Sequence, residues 1–187
     1  MPADVKITTE FLYQGMLIFA LLDVVFVSLL FWRVKSGSFL RQKWTLALAA
    51  AFVWFGIWRW AIGNFWETVY VYVFPAWGQA WIPVIAFCSA GGIAIGLWML
   101  AVRSKWNPVL VYSLLGGLLG SLTHLWAVFR GIVTKPPMLQ GASPLAAIVF
   151  AFFEYIFYWC VILFLATILT WLSDRLRITR KVRKNLS

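Results

Sequence analysis

Five apolar stretches dominate the chain, at residues 11–32, 44–62, 82–102, 108–129 and 144–172. Each is long enough to cross ~30 Å of hydrocarbon as a helix. They predict an all-α integral membrane protein, a multi-pass bundle of five transmembrane helices. One domain is expected over residues 1–172, followed by a basic tail at 173–187. Composition points the same way: 63% of residues are hydrophobic and 12% charged. A soluble domain averages ~45–50% apolar and ~25% charged, so this chain has too little polar surface to cover itself. The first run is expected to remain as a span. Asp4 and Glu10 outweigh Lys6 where a signal peptide would carry a basic region, and the run is too long for a signal core.

The net charge of +10 would suggest nucleic acid in a soluble protein. Here orientation accounts for it, and no nucleic-acid partner is expected. With five spans, twelve of the sixteen Lys and Arg residues fall on one side: Arg33, Lys35, Arg41, Lys43, Arg103, Lys105 and the six of the tail. The positive-inside rule then puts the N-terminus outside and the C-terminus in the cytoplasm. On the outer side, residues 68–74 read TVYVYVF, a β-branched and aromatic alternation that favours an extended interfacial segment. A second outer loop, residues 130–143, ends in Ser143-Pro144, a helix cap followed by proline at the first helical position.

Gly92-xxx-Gly96 in span three and Gly116-xxx-Gly120 in span four have the spacing that lets helix backbones approach closely in lipid. A short turn, residues 103–107, joins these spans, so the two glycine pairs are expected to face each other. The thirteen tryptophans read mostly as interfacial belts. Trp32, Trp44, Trp98, Trp106 and Trp171 fall at the inner surface, and Trp58, Trp60, Trp66, Trp77, Trp81 and Trp126 at the outer one. Trp54 and Trp159 stand at mid-depth, where an aromatic ligand cage is the alternative to packing.

Three ionisable residues interrupt the spans: Asp23, His124 and Glu154. Each costs ~2.5–3.5 kcal/mol near the bilayer centre even on lenient scales, which makes it a functional candidate. By helical rise His124 lies ~8 Å, Glu154 ~15 Å and Asp23 ~18 Å below the outer helix ends. His124 shares a face with Gly117, Gly120 and Ser121, while Glu154 has Ala147 and Ala151 behind it and Tyr158 one turn ahead. Two small-residue faces could bring imidazole and carboxylate together as an acid–base pair. The structural alternative is an interhelical hydrogen bond that fixes the bundle. Asp23 could meet Tyr13, Ser113 or a partner subunit for the same reason. Arg59, Asn64 and Glu67 read as a wetted interfacial cluster.

One histidine and two separated cysteines, Cys88 and Cys160, cannot build a multi-histidine metal site or a bis-histidine haem within this chain. No cofactor is expected, and both thiols read as inert. No GxSxG, P-loop or HExxH pattern is present.

Gly63-Asn64-Phe65-Trp66, then Phe74-Pro75-Ala76-Trp77 and, after four residues, Ile82-Pro83, form an aromatic and proline pattern within residues 63–83. It resembles a segment of cycloeucalenol cycloisomerase, a sterol-isomerising membrane enzyme family, with a shorter gap between the first two blocks. The resemblance implies an intramembrane acid–base isomerase acting on a polycyclic lipid. Its acid–base residues would lie among His124, Glu154 and Glu67, with tryptophans stabilising positive charge by cation–π attraction.

Three functions remain in play. The first is a non-catalytic membrane subunit or assembly factor, with lipids and partner subunits or a second copy around it. The second is a small membrane enzyme or lipid-binding protein with a His124/Glu154 chamber, Asp23, Tyr158, Trp54, Trp159 and Glu67 contributing to binding. The third is a proton or ion pathway through Asp23, Glu154 and His124.

Overall fold

A computed structural model of the chain describes residues 9–34, 43–61, 82–129 and 143–185. All regular structure among them is helical. The helices are α1 (Thr9–Arg33), α2 (Lys43–Ala61), α3 (Ile82–Arg103), α4 (Pro108–Phe129) and α5 (Pro144–Asn185). Three stretches within them are long and apolar enough to cross a membrane: Thr9–Arg33, Pro108–Trp126 and Pro144–Ile178. The apolar stretches described in α2 and α3, Lys43–Val53 and Cys88–Arg103, are shorter. The aromatic segment 68–74, Glu67 and most of the loop 130–143 lie outside the described residues, as does the side chain of Trp54.

Two prolines begin helices as their sequence context demands. Pro108 opens α4, and Asn107 caps it: its Oδ1 accepts from the backbone N–H of Val109 at 2.9 Å and of Leu110 at 3.4 Å. These bonds satisfy donors that have no partner within the helix. Pro144 opens α5, where the Ser143 carbonyl accepts from Ala147 at 3.1 Å. The Ser143 N–H in turn donates to Thr9 Oγ1 at 3.0 Å, tying the start of α5 to the start of α1.

The expected end of the last helix at residue 172 is too early. No glycine or proline follows Pro144, and the helix runs on through the basic segment to Asn185. At 1.5 Å per residue it is ~63 Å long, about twice a hydrocarbon thickness. Arg175 sits 5.4 Å over the ring of Trp171, a cation–π contact at the point where apolar sequence gives way to basic.

Helix α5 is the hub of the bundle, packing on α1, α2 and α4, with α4 its most extensive neighbour. Against α1 it presents Phe150, Phe157 and Phe164 at seven-residue intervals. Phe19 meets Phe150 and Phe157, and Phe26 meets Phe157 and Phe164, at centroid separations of 5.5–5.9 Å. Such alternation is the knobs-into-holes seam of helices that cross at a shallow angle. Thr45 and Thr170 pair at 3.4 Å between α2 and α5.

The two glycine pairs do not face each other. On α4, Gly116 receives the indole of Trp159, Gly117 the side chains of Ile156 and Phe152, and Gly120 the ring of Tyr155. All four side chains belong to α5. On α3, Gly91 packs on Ala47 of α2, while a Cβ at Gly92 or Gly96 would meet nothing within 4 Å. Small residues permit close approach, but the bulky aromatics of α5 fill the α4 notches better than a second glycine could. Trp98 also departs from the expected belt. It is 2% exposed and stacks edge-to-face on Tyr112, whereas Trp32, Trp44, Trp106, Trp126 and Trp171 are exposed.

Candidate functional site

The face of α4 that carries the glycines begins with Tyr112 and Ser113 and ends with Ser121 and His124, residues three or four apart that share one side of a helix. Its C-terminal part places His124 against α5. The imidazole ring stands edge-on to the ring of Tyr155 at 6.4 Å. Ser121 donates to the carbonyl of Ile148 on α5 at 3.2 Å.

His124 and Glu154 do not hydrogen-bond to each other. The Glu154 carboxylate accepts instead from Tyr158, one turn along α5, at 2.7 Å. Tyr158 in turn packs its ring at 6.0 Å from Tyr155. The two residues expected as an acid–base pair thus flank a pair of tyrosines, with Tyr155 against the imidazole ring and Tyr158 bonded to the carboxylate. The reason is local: a tyrosine at i+4 reaches a glutamate on its own helix at less entropic cost than a partner across an interface. Replacing Tyr158 with phenylalanine removes that bond and leaves a half-buried carboxyl unpaired. A loss of about 1–3 kcal/mol in thermal or denaturant unfolding is expected, and His124→Gln should shift the same transition less. Equal shifts would mean that the tyrosine bond is not what holds Glu154.

A second polar group lies farther along the helices. Asp23 is 6% exposed, and neither carboxylate oxygen has a hydrogen-bond partner. It occupies the α1 seam between Phe19 and Phe26, where helix packing calls for an apolar side chain. Neither Tyr13 nor Ser113 bonds to it. The Ser113 hydroxyl donates to the carbonyl of Val109 at 2.8 Å and contacts Cys160 Sγ at 3.3 Å. The Cys160 thiol is within electrostatic reach of both Asp23 and Tyr112. Tyr112 and Trp159 are wholly or almost wholly buried and pack edge-to-face at 5.6 Å, yet the tyrosine hydroxyl and the indole N–H have no hydrogen-bond partner.

Four polar side chains, Asp23 of α1, Tyr112 and Ser113 of α4 and Trp159 of α5, are therefore linked directly or through one another to Cys160. Reading by single residues missed this centre: Cys160 was assigned no role and Tyr112 drew no attention. The signal was available, because Tyr112 and Ser113 continue the Gly116–Gly120–His124 face by one turn. Cys88, by contrast, is exposed on α3. No group of three or more His, Cys, Asp or Glu residues that could hold a metal occurs among the described residues.

No protein-family model matches the chain, and no curated protein or solved structure matches it.

Proposed function

We propose that the chain is a non-catalytic integral membrane subunit or assembly factor of a larger membrane complex. It is held by five spans, with the N-terminus outside and the C-terminus in the cytoplasm. The observation that carries this reading is the open face of α3. Gly92 and Gly96 are exposed, and a Cβ at either would meet nothing within 4 Å. Cys88 stands one turn before Gly92 on the same side and is exposed too. Helix backbones associate in lipid through such faces, because van der Waals contact replaces the hydrophobic effect there. The corresponding glycines of α4 are already filled by α5, whereas among the described glycines those at 92 and 96 of α3 stay open to a partner.

The test is native mass spectrometry of the tagged protein, gently extracted from its own membrane, beside Gly92→Leu and Gly96→Leu variants. Stoichiometric co-purifying polypeptides that are lost at least tenfold in both variants are expected. Oxidative cross-linking through Cys88 adds the identity of the partner: a disulfide-linked dimer marks a second copy. A protein that purifies alone, with neither variant changing its mass, overturns the subunit reading.

A second reading is a small membrane enzyme or lipid-binding protein with isomerase-like acid–base chemistry. It is supported by the tyrosine pair that stands between His124 and Glu154. A reproducible lipid-sized mass on the lone protein, lost in Glu154→Gln, would favour it over the first.

A further inference from the structure

Docking through α3 does not require an acid at position 23. Leucine or phenylalanine would continue the α1–α5 seam, and a well-packed hydrophobe in place of a buried charged group is often neutral or stabilising. The carboxyl nevertheless sits there at 6% exposure with both oxygens unpartnered. It is not alone. The Tyr112 hydroxyl and the Trp159 indole N–H are also buried without partners, and Cys160 lies within electrostatic reach of Asp23 and of Tyr112.

The inventory of these groups is complementary. A carboxyl accepts and, when protonated, donates; a phenol does both; an indole N–H only donates. Leaving all of them unmatched in an apolar interior is costly, so their gathering on three different helices points to a guest that bonds to several at once. The surroundings limit its size. Tyr112, Ser113 and Cys160 are at most 1% exposed, and Phe19 and Phe26, packed on Phe157, bracket Asp23 along α1. A lipid headgroup or an organic cofactor does not fit this description, whereas a proton and a water molecule do. Of the ionisable groups, Cys160 of α5 lies within electrostatic reach of Asp23, and Tyr112 of α4 lies one step further, within reach of Cys160; neither supplies a positive charge.

We propose that Asp23 is an interior proton-binding site, its acid proton donated to water that also accepts from the Trp159 indole N–H and donates to the Tyr112 hydroxyl. Binding and release of the proton need no co-reactant. The carboxyl O–H breaks as water takes the proton, and the reverse step restores it.

Infrared spectroscopy of the full-length protein in lipid nanodiscs tests the site at neutral pH. A protonated-acid C=O band is expected, moving to lower frequency when water is replaced by D₂O. Labelling the aspartate carboxyls with ¹³C should shift it; of the other two aspartates, Asp4 precedes the first apolar stretch and Asp174 is exposed, which leaves Asp23 as the buried one. Asp23→Asn should remove the band and Glu154→Gln should leave it. Tyr112→Phe should move its frequency without removing it. The proposal is overturned by a wild-type spectrum without such a band, by a band that ignores the aspartate label, or by one that Tyr112→Phe leaves unmoved. The label settles the assignment even if Asp23→Asn does not fold. Loss of the α3 partner in the preceding test would not alter any of these bands.

Discussion

Alanine at position 120 destabilises the helical bundle, whereas alanine at position 92 leaves it as stable or slightly more so. A Cβ on Gly120 runs into Tyr155, with the tyrosine Cβ only 2.6 Å away. That atom is fixed to the α5 backbone and cannot rotate aside. The helices must separate, and α4–α5 is the most extensive contact in the fold. Overpacking of this kind costs about 1–3 kcal/mol and sometimes more. The gain from replacing a helical glycine by alanine is at most ~1 kcal/mol, so the clash wins. At Gly92 there is no clash to offset that gain. Thermal unfolding of the two single variants in the same detergent measures the difference. A Gly120→Ala protein as stable as Gly92→Ala would mean that α4 and α5 are not in contact at this depth. A Cβ on Gly117 would lie 2.7 Å from Ile156 Cγ1 and also meet the ring of Phe152, so Gly117→Ala should behave like Gly120→Ala.

The contrast between these glycines also marks the limit of what can be read from spacing. Helix existence and most helix ends followed from apolar runs and from Pro108 and Pro144, since a proline at the first turn and a capping residue before it act locally. Glycine spacing reported which faces permit close approach, but not which neighbour arrives. That choice depends on the size of the opposing side chains and on how five helices share one hub. Trp98 illustrates a related difficulty. Counting residues puts it near a helix end, but that position does not say whether a ring faces outward or toward Tyr112. His124 and Glu154 share the expectation of a pair, yet Tyr158 at i+4 captures the carboxylate through a contact within one helix. Asp23 was legible as an anomaly from its apolar surroundings. Its neighbour Cys160, and Tyr112 beyond that thiol, come from helices far apart in the chain, so their convergence needs the fold.

Trp159 joins these levels, and its truncation should be the costliest single change in the bundle. The side chain is 4% exposed, seats its indole over Gly116 and packs edge-to-face on Tyr112. Trp159→Ala opens a cavity between α4 and α5, for which about 3–5 kcal/mol is the usual cost of removing a buried large aromatic. Gly116→Ala alone is also destabilising, because its methyl group would occupy the space of the indole. In the double variant the methyl group enters a space already emptied. The two losses should therefore fall short of their sum by about 0.5–3 kcal/mol, the range seen for residues in direct contact. Unfolding of the wild type, both single variants and the double variant under one condition completes the cycle. Strict additivity would show that Trp159 does not fill the Gly116 notch. A Trp159→Ala protein of unchanged stability that loses a bound lipid would instead make the residue part of a ligand cage, the role its mid-depth position first suggested. The cycle separates these outcomes because a packing contact couples the two positions, while a ligand contact made by the indole alone does not.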